Sequence, residues 1–342
     1  MASAMISVAS FGYQNEAISG TLTTPNYQII DKIPLGGEGG WDYLTLDSDA
    51  RRLYITRSNR VTVIDVESGL QVGEIPNTDG VHGVAIAPDL NRGFTSNGKA
   101  ATATIFDLKT LKVIGQVKTG LNPDAIVYEP LSQKVFTFNG KSNSASVFDA
   151  KTAKLLGTIP LGGKPEFAVA DGLGQIFVNI EDKSEVLTLD AYNLEVKSRW
   201  SLKPCTEPTG IAIDKQDRRL FIGCRNQVMS VLDAKTGMIQ ASLPIGKGSD
   251  AIAYDPETKL AFSSNGEGSV SVVREDSPNR FSVNNFVTQK GARTMALDLK
   301  THKLYLMSAK YQPIPTPVAG QEIARPLIDP STAAVLVLGK SK

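Results

Sequence analysis

The chain lacks most of the features by which enzymes announce themselves. It carries no G-x-S-x-G elbow, no H-E-x-x-H pair and no Gly-rich phosphate loop between a strand and a helix. No stretch shows a helical stripe, so a dinucleotide fingerprint has nowhere to dock. Histidine and cysteine occur twice each, as His82, His302, Cys205 and Cys224. Charge of one sign is not in excess: Lys+Arg number 36 against Asp+Glu 35, which argues against a whole-protein basic field for nucleic acid. No apolar run is long enough to span a bilayer. The start has no secretory layout, since no Lys or Arg precedes Lys32 and the apolar stretch Met5–Ala9 is short and interrupted by Ser7. The opening "MASA" fits an expression scar in place of a removed leader. What is present is 342 residues with a 41% hydrophobic share, enough for one large all-β domain.

A repeat organises that domain. The segments "VTVID", "ATIFD", "ASVFD", "VLTLD", "MSVLD" and "VSVVR" end at positions 42, 42, 41, 43 and 41 residues apart, from Asp65 to Arg274. Ahead of each runs a second register, "DYLTLD" from Asp42, "HGVAIA" from His82, "DAIVYE" from Asp124 and "EFAVAD" from Glu166. It continues as "TGIAID" from Thr209, "DAIAYD" from Asp250 and "RTMALD" from Arg293, seven copies in all. Each copy reads as four short strands separated by polar turns. Four strands in a period of roughly 40–45 residues make one propeller blade.

The first strand of each copy predicts how blades pack. Bulky residues (Leu44/Leu46, Val84/Ile86, Ile126/Tyr128, Ile252/Tyr254) flank a smaller one (Thr45, Ala85, Val127, Ala253). Alternate residues face opposite sides of a strand, so a large face meets a neighbour's small face near the crowded axis. Closure follows from what is missing. The last copy stops after its third strand, Ala333–Leu338, while a lone fourth-type strand, Tyr27–Ile33, stands near the start. Pairing the two removes two open edges. The expected fold is a seven-bladed β-propeller over residues 27–342, preceded by an N-terminal extension, 1–26, and carrying a proline-rich insertion, Tyr311–Thr332, at the mouth of the channel. Its Pro313, Pro315, Pro317, Pro326 and Pro330 suit a lid or partner-binding flap, or a passive cover.

Blades such as "RLYITRSNRVTVIDVESG" and "RLFIGCRNQVMSVLDAKTG" make the chain resemble the YVTN-repeat seven-bladed propeller family. The resemblance covers nearly everything from Tyr27 on and implies the fold. It implies no shared activity, because function belongs to sites rather than folds.

The residues opening the first strands, Asp42, His82, Asp124, Glu166, Thr209, Asp250 and Arg293, occupy equivalent positions and converge on one channel mouth, here called the top. Oxygen ligands with one imidazole suit a divalent ion (Ca²⁺, Mn²⁺ or Zn²⁺), with Asp42, His82, Asp124, Glu166 and Asp250 as its expected ligands. The alternative is structural: carboxylates at strand starts accept backbone N–H groups, and Arg293 balances the rest. His302 falls in a turn at the opposite, bottom face and reads as surface. The Asn-Gly pairs of the top loops suit tight hairpin turns.

Cys205 precedes blade five's first strand and Cys224 ends its second, which places them within disulfide reach. Two buried thiols or a two-cysteine metal site are the other readings. A bond would mean an oxidising compartment, periplasmic or exterior. The "CTEPTGIAID…RLFIGCRN" arrangement also resembles an exported bacterial branch of the YVTN group, which agrees with the bond.

Two functions follow. A metal-dependent hydrolase of ester, lactone or phosphoester substrates would use Glu166 or His82 as general base and Arg293 to steady an anionic group. A non-catalytic binding or scaffold propeller of the periplasm would hold a small molecule or peptide on the top face. The chain is expected as a monomer without membrane insertion. Nucleic-acid binding through the outer top cations, Arg57, Arg60, Lys99, Lys141, Lys183, Arg225 and Lys310, is the weakest reading because they surround an acidic centre.

Overall fold

Seven four-stranded antiparallel sheets form the ring of the computed structural model, which describes residues 25–312 and 328–341. Each blade runs outward in chain order, as in blade 2 with Val81–Ala87 innermost, then Arg92–Asn97, Thr102–Asp107 and Val113–Lys118. The seventh sheet orders Tyr27–Pro34, Ile328–Lys340, Lys303–Tyr311 and Met295–Asp298, so the first strand closes the ring. Tyr27 pairs with Lys340 and Pro34 with Ala334, the expected closure. Lys310 pairs with Asp329 and Tyr311 with Ile328, so both ends of the expected insertion lie in paired strands. The remainder of the expected flap, 313–327, and most of the N-terminal extension, 1–24, lie outside the described residues.

The core is seven apolar clusters, each shared by two neighbouring blades. In one, Ala85 of blade 2 meets Ile126 and Tyr128 of blade 3, and in another Ala212 meets Ile252 and Tyr254. Large inner residues therefore face the preceding blade and small ones the following blade, as the alternation requires. Full burial of such side chains stabilises the ring by about 1.5–3 kcal/mol each.

The bottom face adds polar latches between blades. The Arg51 guanidinium donates to Asp298 at 2.8 Å, Arg218 to Asp171 at 2.9 Å, and the Tyr254 hydroxyl to Asp214 at 2.6 Å. His302 Nδ1 lies 2.7 Å from Asp255 of the preceding blade, so this histidine is a partly buried junction residue, not a free surface one. The recurrent Asp column has a local role. Asp65, Asp107, Asp149 and Asp233 each accept two backbone N–H groups and one hydroxyl from the next turn. The backbone N–H of Ser68 and that of Thr110 chiefly hold the Asp65 and Asp107 carboxyls below the usual range.

Cys205 and Cys224 are bonded, with Cα atoms 5.6 Å apart and both side chains buried. Closing a loop of that sequence separation, 19, is worth about 3 kcal/mol in the chain-entropy model. A bonded pair points to an oxidising, extracytoplasmic setting. Among the described residues no helix is long and apolar enough to cross a membrane.

Candidate functional site at the channel mouth

Five innermost strands carry an extra residue where the ring side chains sit. Val81 pairs with Asn97 but Gly83 with Ser96, leaving His82 bulged. The same shift falls at Asp124, between Pro123↔Asn139 and Ala125↔Phe138, and at Asp250, between Ser249↔Asn265 and Ala251↔Ser264. Blades 4 and 5 bulge across Glu166–Phe167 and Thr209–Gly210. A bulge releases a residue from the ladder and re-aims its side chain, a device common beside functional sites. Asp42 and Arg293 stand just ahead of their strands, which begin at Leu44 and Met295.

The ring divides into three groups. Asp42, His82 and Asp124, from blades 1 to 3, bring one ligand atom each to within 4.8 Å of one another. His82 Nδ1 is 2.6 Å from Asp42 Oδ2 and 3.4 Å from Asp124 Oδ1. Glu166 instead faces Lys164, whose Nζ lies 3.3 Å from its Oε2, and Lys164 also contacts Glu181, itself 2.9 Å from Arg225. Asp250 lies 3.2 Å from Arg293. Thr209 leaves the ring: it is buried, and its hydroxyl donates to the Gly223 and Ser249 carbonyls. The structural alternative has two parts, capping of local backbone and balance by Arg293 and loop cations. The second is met at Asp250 by Arg293 and at Glu166 by Lys164. Among the described residues, none of these four carboxylates accepts a backbone N–H; their neighbours are side chains.

Crowded, half-desolvated acids hold their protons. Burial pushes Asp124 up to about 6, with Asp42 and Glu181 adding and His82 and Lys164 opposing. Burial likewise lifts Asp250 to about 6 against the pull of Arg293. Glu166 rises furthest, to about 8, through burial and the fields of Asp124 and Glu181. For His82 burial works downward, but the Asp42 hydrogen bond and the surrounding carboxylates outweigh it and the net shift is upward.

Sequence reasoning missed the floor of this funnel. The rings of Tyr43, from blade 1, and Phe167, from blade 4, lie 4.6 Å apart. Those blades are not neighbours, so the contact crosses the axis and narrows the bore beneath the acids. Tyr43 is buried, and burial first, then Glu166, Asp42, Asp124 and Asp250, hold its phenol well above the usual range. A signal existed. Immediately after the ring residue the other five copies have Gly83, Ala125, Gly210, Ala251 and Thr294, all small, whereas these two are aromatic.

Gly98 seats the imidazole. A Cβ there would lie 2.5 Å from His82 Nε2 and 3.0 Å from Asn122 Oδ1, so the ring is backed against the chain with Nδ1 facing the acids. We expect Gly98→Ala to displace His82 and weaken divalent-ion binding by about tenfold, the scale of lost outer-shell support. Titration with Mn²⁺ alongside thermal melting checks this: affinity should fall while the melting temperature stays within a few degrees. Undiminished affinity would show that the seat is irrelevant.

One other expectation at this face needs correction. Arg57 is no rim cation. It is buried, and its guanidinium donates to the carbonyls of Gly36, Gly37, Glu38 and Gly39, fixing the loop ahead of blade 1. The Asn-Gly pairs sit in short hairpin turns. Asn97 and Asn139 end their strands, buried, and donate to hydroxyls of the next strand (Thr102 and Thr104; Ser144 and Ser146) across four-residue turns.

No protein-family model and no curated protein sequence matches the chain. The YVTN resemblance therefore rests on the repeat strings alone. Among solved structures, a chain of Kuenenia stuttgartiensis hydrazine synthase is similar over 80% of this chain and 94% of its own, with a TM-score of 0.70 and 14% identity. At that identity the likeness shows the propeller fold and carries nothing of the chemistry.

Proposed function

We propose that the funnel is a divalent-cation and ligand site, with Asp42, His82 and Asp124 holding the ion. The observation that carries this reading is the convergence of two carboxylates and one imidazole, from three successive blades, with no backbone N–H bound to either acid among the described residues. Such a donor set suits Mn²⁺ or Zn²⁺, and Ca²⁺ if further oxygens join. Bound there, the ion would polarise a substrate oxygen and lower the pKa of a water, which is the chemistry of ester, lactone or phosphoester hydrolysis. Glu166, holding its proton near neutrality, supports a proton-donor role better than the general-base role its sequence position suggested. Asp250 and Arg293 form a mixed pair on the far wall, where Arg293 is the more exposed partner. A periplasmic address agrees with the bonded cysteines.

Ligand carboxylates must be deprotonated, so ion binding releases protons. Because Asp124 titrates at about 6 and the His82 shift is upward, Mn²⁺ affinity should climb from about pH 5 and go on climbing above neutrality until the imidazole too has lost its proton. Calorimetry in two buffers of different ionisation enthalpy tests this. One ion per chain with proton release supports the reading; no saturable binding at any pH ends it.

A further inference from the structure

Two arginines stand on the side of the funnel that the proposed ion does not use. The residue following each second strand comes to rest beside a ring residue, because that strand's end pairs with the start of the innermost one (Pro208 with Cys224, Ser249 with Asn265). In blades 2, 3 and 6 this residue is a glycine, whereas in blade 5 it is Arg225. Blade 5 presses on blade 6 at this level, since a Cβ at Gly223 would collide with Ser249, the neighbour of Asp250. From blade 7, Arg293 reaches the same acid. Its Nε lies 3.2 Å from Asp250, and its own Cβ would be 3.8 Å from a Cβ at Gly266. Asp250 is thus flanked by two guanidinium groups, and the fields of both act on its carboxyl.

Neither guanidinium is saturated by its acid. Arg225 offers Nη2 to Glu181 at 2.9 Å, and Arg293 offers Nε to Asp250. Among the described residues no further acceptor meets either group, and the two side chains are 49% and 58% exposed. A guanidinium carries N–H donors on every nitrogen, in a planar fork that matches the oxygens of a phosphate. Charge points the same way. On this half of the mouth the cations Lys164, Arg225 and Arg293 face only two charged carboxylates, Glu181 and Asp250, because Glu166 keeps its proton up to about 8. Blade 7 adjoins blade 1 around the ring, and the field of Asp42 acts on Arg293, so an anion held here would border the ion site.

We infer that Arg225 and Arg293 form an anion clamp beside the ion site, so that the ligand is a phosphoester and not a neutral ester or lactone. The inference rests on the reading of the funnel as an ion site and narrows that reading to one substrate class. A phosphate has enough charged oxygens to meet both forks and a dication, whereas the carbonyl oxygen of a lactone is single and uncharged.

Methyl phosphate, acetate and neutral trimethyl phosphate are the probes, titrated by calorimetry into the full chain, metal-free and Mn²⁺-loaded. At about pH 7.5 methyl phosphate is mostly a dianion. Wild-type protein should bind it at least about tenfold more tightly than either other probe, and Mn²⁺ loading should tighten it several-fold. Arg225→Gln and Arg293→Gln should each lower that affinity about tenfold in both forms of the protein. Neither should weaken Mn²⁺ binding, and Arg225→Gln leaves Glu181 its contact with Lys164. Arg60→Gln removes a cation that pairs with Glu74 on the outer rim and should match wild type. Acetate or trimethyl phosphate bound as tightly as methyl phosphate overturns the inference, as does undiminished affinity in both arginine variants. Absence of Mn²⁺ binding, with arginine-dependent methyl phosphate binding intact, overturns the metal reading and leaves the clamp standing.

Discussion

Replacing Asp42 and Asp124 together by asparagine is expected to lower Mn²⁺ affinity at least about 100-fold. Asparagine keeps the size of the side chain and one oxygen, so the change isolates charge. Two carboxylates a few ångströms from a dication supply most of its attraction, since neutral amide oxygens are weak ligands for a desolvated ion. The substitution should not harm the fold. Asp124 holds its proton up to about 6 because burial and Asp42 disfavour its charge, so removing both charges relieves repulsion at neutral pH. A melting temperature equal to or above that of wild type, together with lost binding, is the expected pair of results. A control at Lys99, a rim cation 3.8 Å from Asp79, should leave affinity unchanged.

Glu166→Gln is expected to stabilise the ion-free protein at pH 8 and to leave it unchanged at about pH 4. The folded carboxyl titrates at about 8, above its ordinary value, so the folded state binds the extra proton and stability falls as pH rises. The loss begins above the ordinary carboxyl range, near pH 4, and is complete once pH exceeds about 8. Its full size is on the order of a few kcal/mol. Glutamine avoids that cost. Were Glu166 instead an ordinary ionised partner of Lys164, the same change would strand a half-buried cation and destabilise the protein at pH 8. Thermal melts of the two proteins across this pH range separate the cases by sign.

The fold and half of the site could be read from the residues because both follow from a period. The alternation of Val84, Ala85 and Ile86 dictates which face meets the next blade, and a missing fourth strand after Leu338 dictates closure. The ring was legible for the same reason: equivalent positions around an axis must converge. Neighbouring side chains decided what the period could not. Thr209 has the ring's position, yet its hydroxyl finds the Gly223 and Ser249 carbonyls and turns inward. Glu166 belongs to the ring, but Lys164, two residues earlier, draws it into a separate ion network. Arg57 looked like a rim cation because its loop is short; four carbonyls of a glycine-rich segment, distant in sequence, bury it. Bulges leave almost no trace in composition, and they release His82, Asp124 and Asp250 from the regular ladders of their strands. Tyr43 and Phe167 broke the small-residue column visibly, but their meeting depends on ring geometry across 124 residues of sequence separation, 167 − 43.

The most direct check is an anomalous difference map of crystals grown with Mn²⁺, recorded at the manganese edge. One strong peak within coordination distance of Asp42, His82 and Asp124 is the predicted result. A map with no peak at the channel mouth, from crystals whose other contents prove manganese present, would contradict the proposed centre and leave the seven blades as a bare scaffold.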